Sequence, residues 1–67
     1  MIEQIYLFEN KLVEEIKRHY SDTSYLERME PVLDFLEQSK QWALLGNESK
    51  ALRCFMISYV INQNRVK

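Results

Sequence analysis

The run Cys54-Phe55-Met56-Ile57-Ser58-Tyr59-Val60-Ile61 decides how this chain is read. Its β-branched and aromatic content keeps a strand open for residues 55–61. Length argues for a helix, because the patterned segment extends from Ser49 to Asn62, beyond the usual strand of about 4 to 8 residues, and no second strand is available to pair with it. At helical spacing the side chains of the run point in every direction, and a helix apolar all round has to be buried all round. A chain of 67 residues has too little protein to wrap such an element. At this size only about 60% of the surface exposed by the unfolded chain is hidden on folding. One side of the helix is therefore expected to rest on its own chain and the other on a partner or a second copy.

Working outward, Gly46-Asn47 is the clearest punctuation. The single glycine suits the left-handed position that closes a helix, and Asn47 is a good N-cap for the next. The last helix is expected over about residues 48–62. Upstream, Tyr25, Met29, Val32, Leu33, Leu36 and Ala43 keep one helical phase, with Glu27, Glu30, Asp34, Glu37, Gln38 and Gln41 on the other side. This predicts a helix over 24–45, with Ser24 and Glu27 spaced as a capping box. Pro31 interrupts it, since an interior proline forfeits a backbone hydrogen bond and crowds the preceding turn. A kink or brief break near Glu30 is the expectation. At the start, Ile5, Phe8, Leu12 and Ile16, flanked by Ile2, Tyr6, Val13 and Tyr20, mark an amphipathic helix over 2–20, with Glu14 and Arg18 spaced as an i,i+4 ion pair. Glu9 projects from its apolar face, either reaching the rim, the favoured reading, or meeting a base such as Lys50 or Arg53. Leu7 projects from its polar face, which is unremarkable for a single residue. The fold class is all-α, a helical hairpin or three-helix unit forming one domain over 1–67.

Composition narrows the classes of function. One cysteine excludes an internal disulfide and makes a reducing cytoplasm the default. No uninterrupted apolar run exceeds four residues, as in Cys54 to Ile57, far short of the roughly 20 needed to span a bilayer. The first residues carry Glu3 and lack the pattern of a secretory leader. Charge is uneven: residues 1–46 hold nine acids against five bases, while residues 47–67 hold four bases against Glu48. Arg65 and Lys67 are expected to complement the negative end of the last helix dipole. With only Lys50 and Arg53 in the body of that helix, phosphate neutralisation has little to work with, so a DNA-binding regulator ranks last among the readings.

Chemistry finds little purchase. His19 and Cys54 are the sole residues of their kinds, so no closed Cys/His zinc site can form. A Cys54 nucleophile served by His19 requires the fold to bring them together. The plainer assignments are an inert core thiol and a histidine capping the last carbonyls of its helix. No catalytic, cofactor or metal residues are assigned, and the chain is read as non-enzymatic. Phe35 and Trp42, on the margin of the second helix's apolar face, are either an anchor pair for a partner or core.

Trp42, Gly46, Ala51, Phe55 and Ser58 resemble the small/aromatic signature of a tetratricopeptide repeat, with 31–64 the length of one unit. The same residues fit any tight helical hairpin with small residues at its crossing. Lys40-Gln41-Trp42, Glu48-Ser49-Lys50-Ala51-Leu52 and Tyr59-Val60, with the overall size, resemble the small helical co-chaperone subunit of type III secretion needle chaperones. That resemblance implies a helical hairpin that pairs with a larger repeat-type chaperone and helps keep a needle subunit unpolymerised. It also implies a turn before Lys40, with Gly46 inside the second helix, and makes Ala51 to Ile61 the chaperone-facing element. The expected function is a co-chaperone or adaptor whose partner-binding residues are Phe35, Trp42, Phe55, Met56, Tyr59, Val60 and Ile61. The alternative is a self-associating helical regulator using the same surface.

Overall fold

The computed structural model describes the backbone of residues 2–66 and the side chains of residues 2–64. Three helices follow in order: α1 Ile2–Arg18, α2 Thr23–Leu44 and α3 Glu48–Val66. The fold is all-α, and residues 55–61 are helical, so the strand alternative falls. α1 closes two residues earlier than its apolar phase suggested, and α3 continues four residues beyond Asn62. The dipole-complementing roles expected for Arg65 and Lys67 lie outside the described side chains.

In α1 the stripe Ile5, Phe8 and Leu12 is buried, and Ile16 packs against it half-buried. Glu14 meets Lys17 at 3.8 Å in place of the expected Arg18. Both groups are largely exposed, where such a pair contributes little. At the junction the cap is Asp22 and not Ser24. The Asp22 carboxylate accepts from the Tyr25 backbone N–H at 3.1 Å, which lets the helix begin one residue earlier. The His19 ring, expected at the last carbonyls of α1, instead stacks on the Tyr25 ring at 4.4 Å between centroids.

α2 runs unbroken through Pro31, which overturns the reading of a break there. Proline cannot donate to the carbonyl of Glu27, four residues back. Both residues are exposed, so water can serve that carbonyl, while Tyr25, Met29, Val32 and Leu36 stay buried on the far side. Burial along one face thus outweighs a local defect on the other. Leu33, assigned by phase to the buried face, lies at its margin and is exposed.

The turn at Gly46 follows the sequence expectation closely. Gly46 has φ +83°, its N–H donates to the Ala43 carbonyl at 3.1 Å, and the Asn47 N–H reaches back to Trp42 at 2.9 Å. Those two bonds satisfy the last carbonyls of α2 in the Schellman pattern. Asn47 then caps α3, its side-chain oxygen accepting from the Lys50 N–H at 3.1 Å. The turn before Lys40 implied by the needle co-chaperone resemblance is not there; α2 passes straight through Lys40, and Gly46 sits between helices. A Cβ at Gly46 would meet nothing within 4 Å, so Gly46→Ala carries only the backbone cost of a positive φ. Chemical denaturation should show a loss of about 1 kcal/mol.

α2 and α3 pack antiparallel and close. The Ser39 hydroxyl donates to the Ala51 carbonyl at 2.6 Å, and the Ser58 hydroxyl donates to the Val32 carbonyl at 2.7 Å. Seven residues separate the two clamp points on each helix, so the bonds mark one seam two turns long. Short side chains on that seam let one backbone come within a hydroxyl's reach of the other. Ser39, Ser58 and Ala51 are all fully buried. α1 lies across this hairpin. Phe8 sits edge-on to Phe55 at 5.5 Å and 5.6 Å from Tyr59, tying α1 to α3, while Ile5 and Leu12 join Met29, Val32 and Leu36 in the core. The molecule measures 36 × 18 × 15 Å. With helices about 10 Å across, a body that thin cannot enclose any helix on every side.

Candidate partner-binding face

α3 spends its buried arc on α2 and its flank on α1. Ala51, Ser58 and Asn62 face inward, and Phe55 and Tyr59 meet Phe8. On the remaining arc, exposed Ser49, Arg53 and Gln63 flank apolar side chains left open to water: Leu52 is 48% exposed, Met56 57% and Val60 53%. These three recur every fourth residue and so form one row along the helix. Phe55, Met56, Tyr59 and Val60 together line an open recess of about 200 Å³ with wholly apolar walls. Scattered exposed leucines are ordinary on a protein surface; a contiguous row in mid-helix is the informative observation.

Of the seven residues assigned to partner binding from sequence, the fold brings these four together. Ile61 and the inner edge of Phe55 pack against the core cluster, so a charge at Ile61 would damage folding before it tested binding. Phe35 and Trp42 are half-buried on α2 and do not line the recess. The Lys50 ammonium lies 4.4 Å from the centroid of the Trp42 ring, a cation–π contact that spans the hairpin turn. Leu52 belongs to the row although it was not singled out; its i,i+4 relation to Met56 was the available signal. Ser39 was also missed, although it keeps phase with Val32, Leu36 and Ala43.

The acid on the apolar arc of α1 has a partner of its own. Glu9 meets Lys40 of α2 at 2.7 Å, and neither Lys50 nor Arg53 takes that place. Lys40 also lies 3.6 Å from Glu37 and 5.8 Å from the Tyr6 ring centroid. The hydrogen bond to Glu9 raises the Lys40 ammonium above its ordinary 10.5, against the opposing effect of burial and with help from the charges of Glu9 and Glu37. A raised lysine stabilises the fold below its ordinary value, and that contribution disappears as pH climbs through the raised one. The urea midpoint of the parent chain should therefore fall more between neutral pH and about pH 11 than that of Lys40→Met. Equal losses in both would remove Glu9–Lys40 from the forces holding α1 to α2.

The Cys54–His19 pair is not assembled. His19 stacks on Tyr25 in the first turn of α2, whereas the serine clamps place Cys54 level with Leu36, roughly 16 Å further along the helix. Among the described residues, no group of three or more His, Cys, Asp or Glu side chains could hold a metal ion. No described helix is long and apolar enough to cross a membrane. Fold and face together define a three-helix unit with an uncovered apolar row on its last helix. No family model, curated protein or solved structure matches the chain.

Proposed function

We propose that the chain is a non-enzymatic protein-binding subunit, a co-chaperone or adaptor that docks the outward row of α3 on a helical partner. The supporting observation is the exposure of Met56 and Val60, in the middle of a helix whose inner side is already taken by α2 and α1. An amphipathic partner helix laid along the Phe55–Val60 recess would remove that surface from water, which is the usual driving force for helix-in-groove recognition. The finer reading, a subunit of the type III secretion needle-chaperone kind, rests on Lys40-Gln41-Trp42, Glu48 to Leu52 and Tyr59-Val60. Its partner would be a larger repeat-type chaperone holding an aggregation-prone client.

A photo-crosslinking side chain placed at Val60, and separately at Glu30 on the acidic side of α2, tests this in cells that make the protein. The reading expects one defined chain to be trapped from position 60 and not from 30, and to form a stoichiometric complex when purified with the parent protein. Equal trapping from both positions, or a complex indifferent to Val60→Glu, would assign the binding to another surface.

A further inference from the structure

The hairpin of α2 and α3 has two sides, and α1 covers one of them. Lys40 and Phe55 mark the covered side, through Glu9 and Phe8. At about 100° per residue, Trp42 stands roughly 160° round α2 from Lys40 and Phe35 roughly 140°, while Ile57 stands roughly 160° round α3 from Phe55. Those three apolar side chains therefore share the back of the hairpin. Phe35 and Trp42 are half-buried there without joining the core cluster, and Ile57 is open to water.

The charges around them have one sign. Arg28, seven residues before Phe35 as Trp42 is seven after, closes the row on α2 at one end. Lys50, held over the Trp42 ring, and exposed Arg53 stand at the other end. The serine clamps put Arg53 level with Glu37 and Lys50 level with Lys40, about 14 to 18 Å along the axis from Arg28. No acid lies among residues 49–64 of α3. On α2, Pro31 and Gln38 come between the row and the acids Glu27 and Asp34, and Glu37 turns toward Lys40 on the other side. In a chain of net charge −1, the back of the hairpin is thus a basic face with an apolar floor.

The front of the hairpin shows what such a surface accepts. There α1 lays the stripe Ile5, Phe8 and Leu12 and sets the Glu9 carboxylate 2.7 Å from the Lys40 ammonium. The back repeats those elements, apolar side chains beside cations, and no described helix of this chain covers it. We infer that the back of the α2–α3 hairpin takes an acidic amphipathic helix of another protein, its apolar stripe on Phe35, Trp42 and Ile57 and its carboxylates on Arg28 at one end and Lys50 and Arg53 at the other. A nucleic acid fits less well, because its phosphates are closely and evenly spaced, whereas these cations form two groups with an apolar stretch between. The back is a second surface beside the outward row of α3, and its occupant does not depend on what that row binds.

Trp42 is the chain's single tryptophan, so its fluorescence reports on this face. The probe is a synthetic helix of about five turns with leucine on one stripe, glutamate at the stripe's margins and alanine elsewhere, and the control is its twin with lysine for glutamate. Titrated into the full chain at low salt, the acidic helix should shift Trp42 emission saturably. It should bind at least about tenfold tighter than the lysine twin, with the preference shrinking as salt is raised. Arg53→Glu, alone and with Lys50→Glu, should weaken binding of a fluorophore-labelled acidic helix, the pair at least about tenfold. Both sites are exposed, so the helical signal should hold. Met56→Gln, on the outward row, should leave the affinity unchanged. Equal binding of the twins, or no saturable binding of the acidic one, overturns the inference. Loss through Met56→Gln with the charge reversals silent also overturns it, by moving the acidic helix onto the outward row, and leaves the proposed function standing. Duplex DNA bound as tightly as the acidic helix would make the back a polyanion site and overturn the assignment of a helix to it.

Discussion

Leu36→Ala is expected to leave most of the isolated chain unfolded at room temperature. Leu36 is 1% exposed and sits where α1 and α2 share the core with Met29 and Val32. Truncating a buried leucine costs about 2–5 kcal/mol, the lost transfer energy plus the cavity left behind. A domain of this size has a total margin of roughly 3–5 kcal/mol. Circular dichroism should show most of the helical signal lost, or a melting temperature lowered by more than about 10 °C. Leu45→Ala, at a site 76% exposed, is the matched control and should melt like the parent. A Leu36→Ala chain that melts cooperatively within a few degrees of the parent would mean that something other than this core carries the stability.

The second large effect is expected at the hairpin seam. Ala51 has no exposed surface, and its carbonyl accepts the Ser39 hydroxyl. Ala51→Leu forces extra carbon atoms between two backbones that already touch through a hydroxyl. Overpacking of this kind costs about 1–3 kcal/mol. Parting the helices also strands the Ser39 and Ser58 hydroxyls away from water, which adds a penalty of about 1–3 kcal/mol for each one left unpaired. Ser39→Ala separates the two contributions. It keeps the seam close and removes one hydrogen bond whose acceptor still has its own helical donor, so its cost should be about 1 kcal/mol. Urea titration of both variants gives the comparison. A larger loss for Ser39→Ala than for Ala51→Leu would assign the hairpin's stability to the hydroxyl bond and not to close approach.

Much of this architecture was legible residue by residue. The phase of Ile5, Phe8 and Leu12, and of Tyr25, Met29, Val32 and Leu36, marks faces that must be hidden, and a period near 3.6 admits only one way of hiding them. Gly46 and Asn47 carry their turn chemistry in their own covalent structure, a missing Cβ and a short amide, so the loop could be named without knowing what it joined. Pro31 left a break open because its cost is local and visible, whereas the burial that keeps the helix continuous is spread over a face and depends on neighbours. Ser24 misled for a similar reason. Asp22 and Ser24 are both competent caps, and the stacking of His19 on Tyr25 and the entry of the chain from α1 accompany the earlier of the two.

The candidate face was half legible. That α3 has more apolar surface than its chain can cover follows from the run Cys54 to Ile61 and from chain length. Which residues would be left outside did not follow, because the crossing of α2 and α3 is set by where small residues allow close approach, and Ser39 looks from sequence like one more polar residue on a mixed helix. The seam it forms with Ala51 and Ser58 turns α3 so that Phe55 and Ile61 go inward and Met56 and Val60 come out. The ion pair of Glu9 was hidden for the same reason. Lys40, Lys50 and Arg53 are equivalent donors until packing selects one.

By itself the amino-acid order determined the helices, the turn at Gly46 and the excess of apolar side chains on the last segment, because each follows from the geometry of one chain segment and the solubility of its side chains. Only the tertiary structure decided the rotation of α3 about its axis, the partner of Glu9 and the row Leu52, Met56 and Val60 that remains open to water. Those depend on which two backbones can approach, and that is a property of pairs of segments and not of either alone.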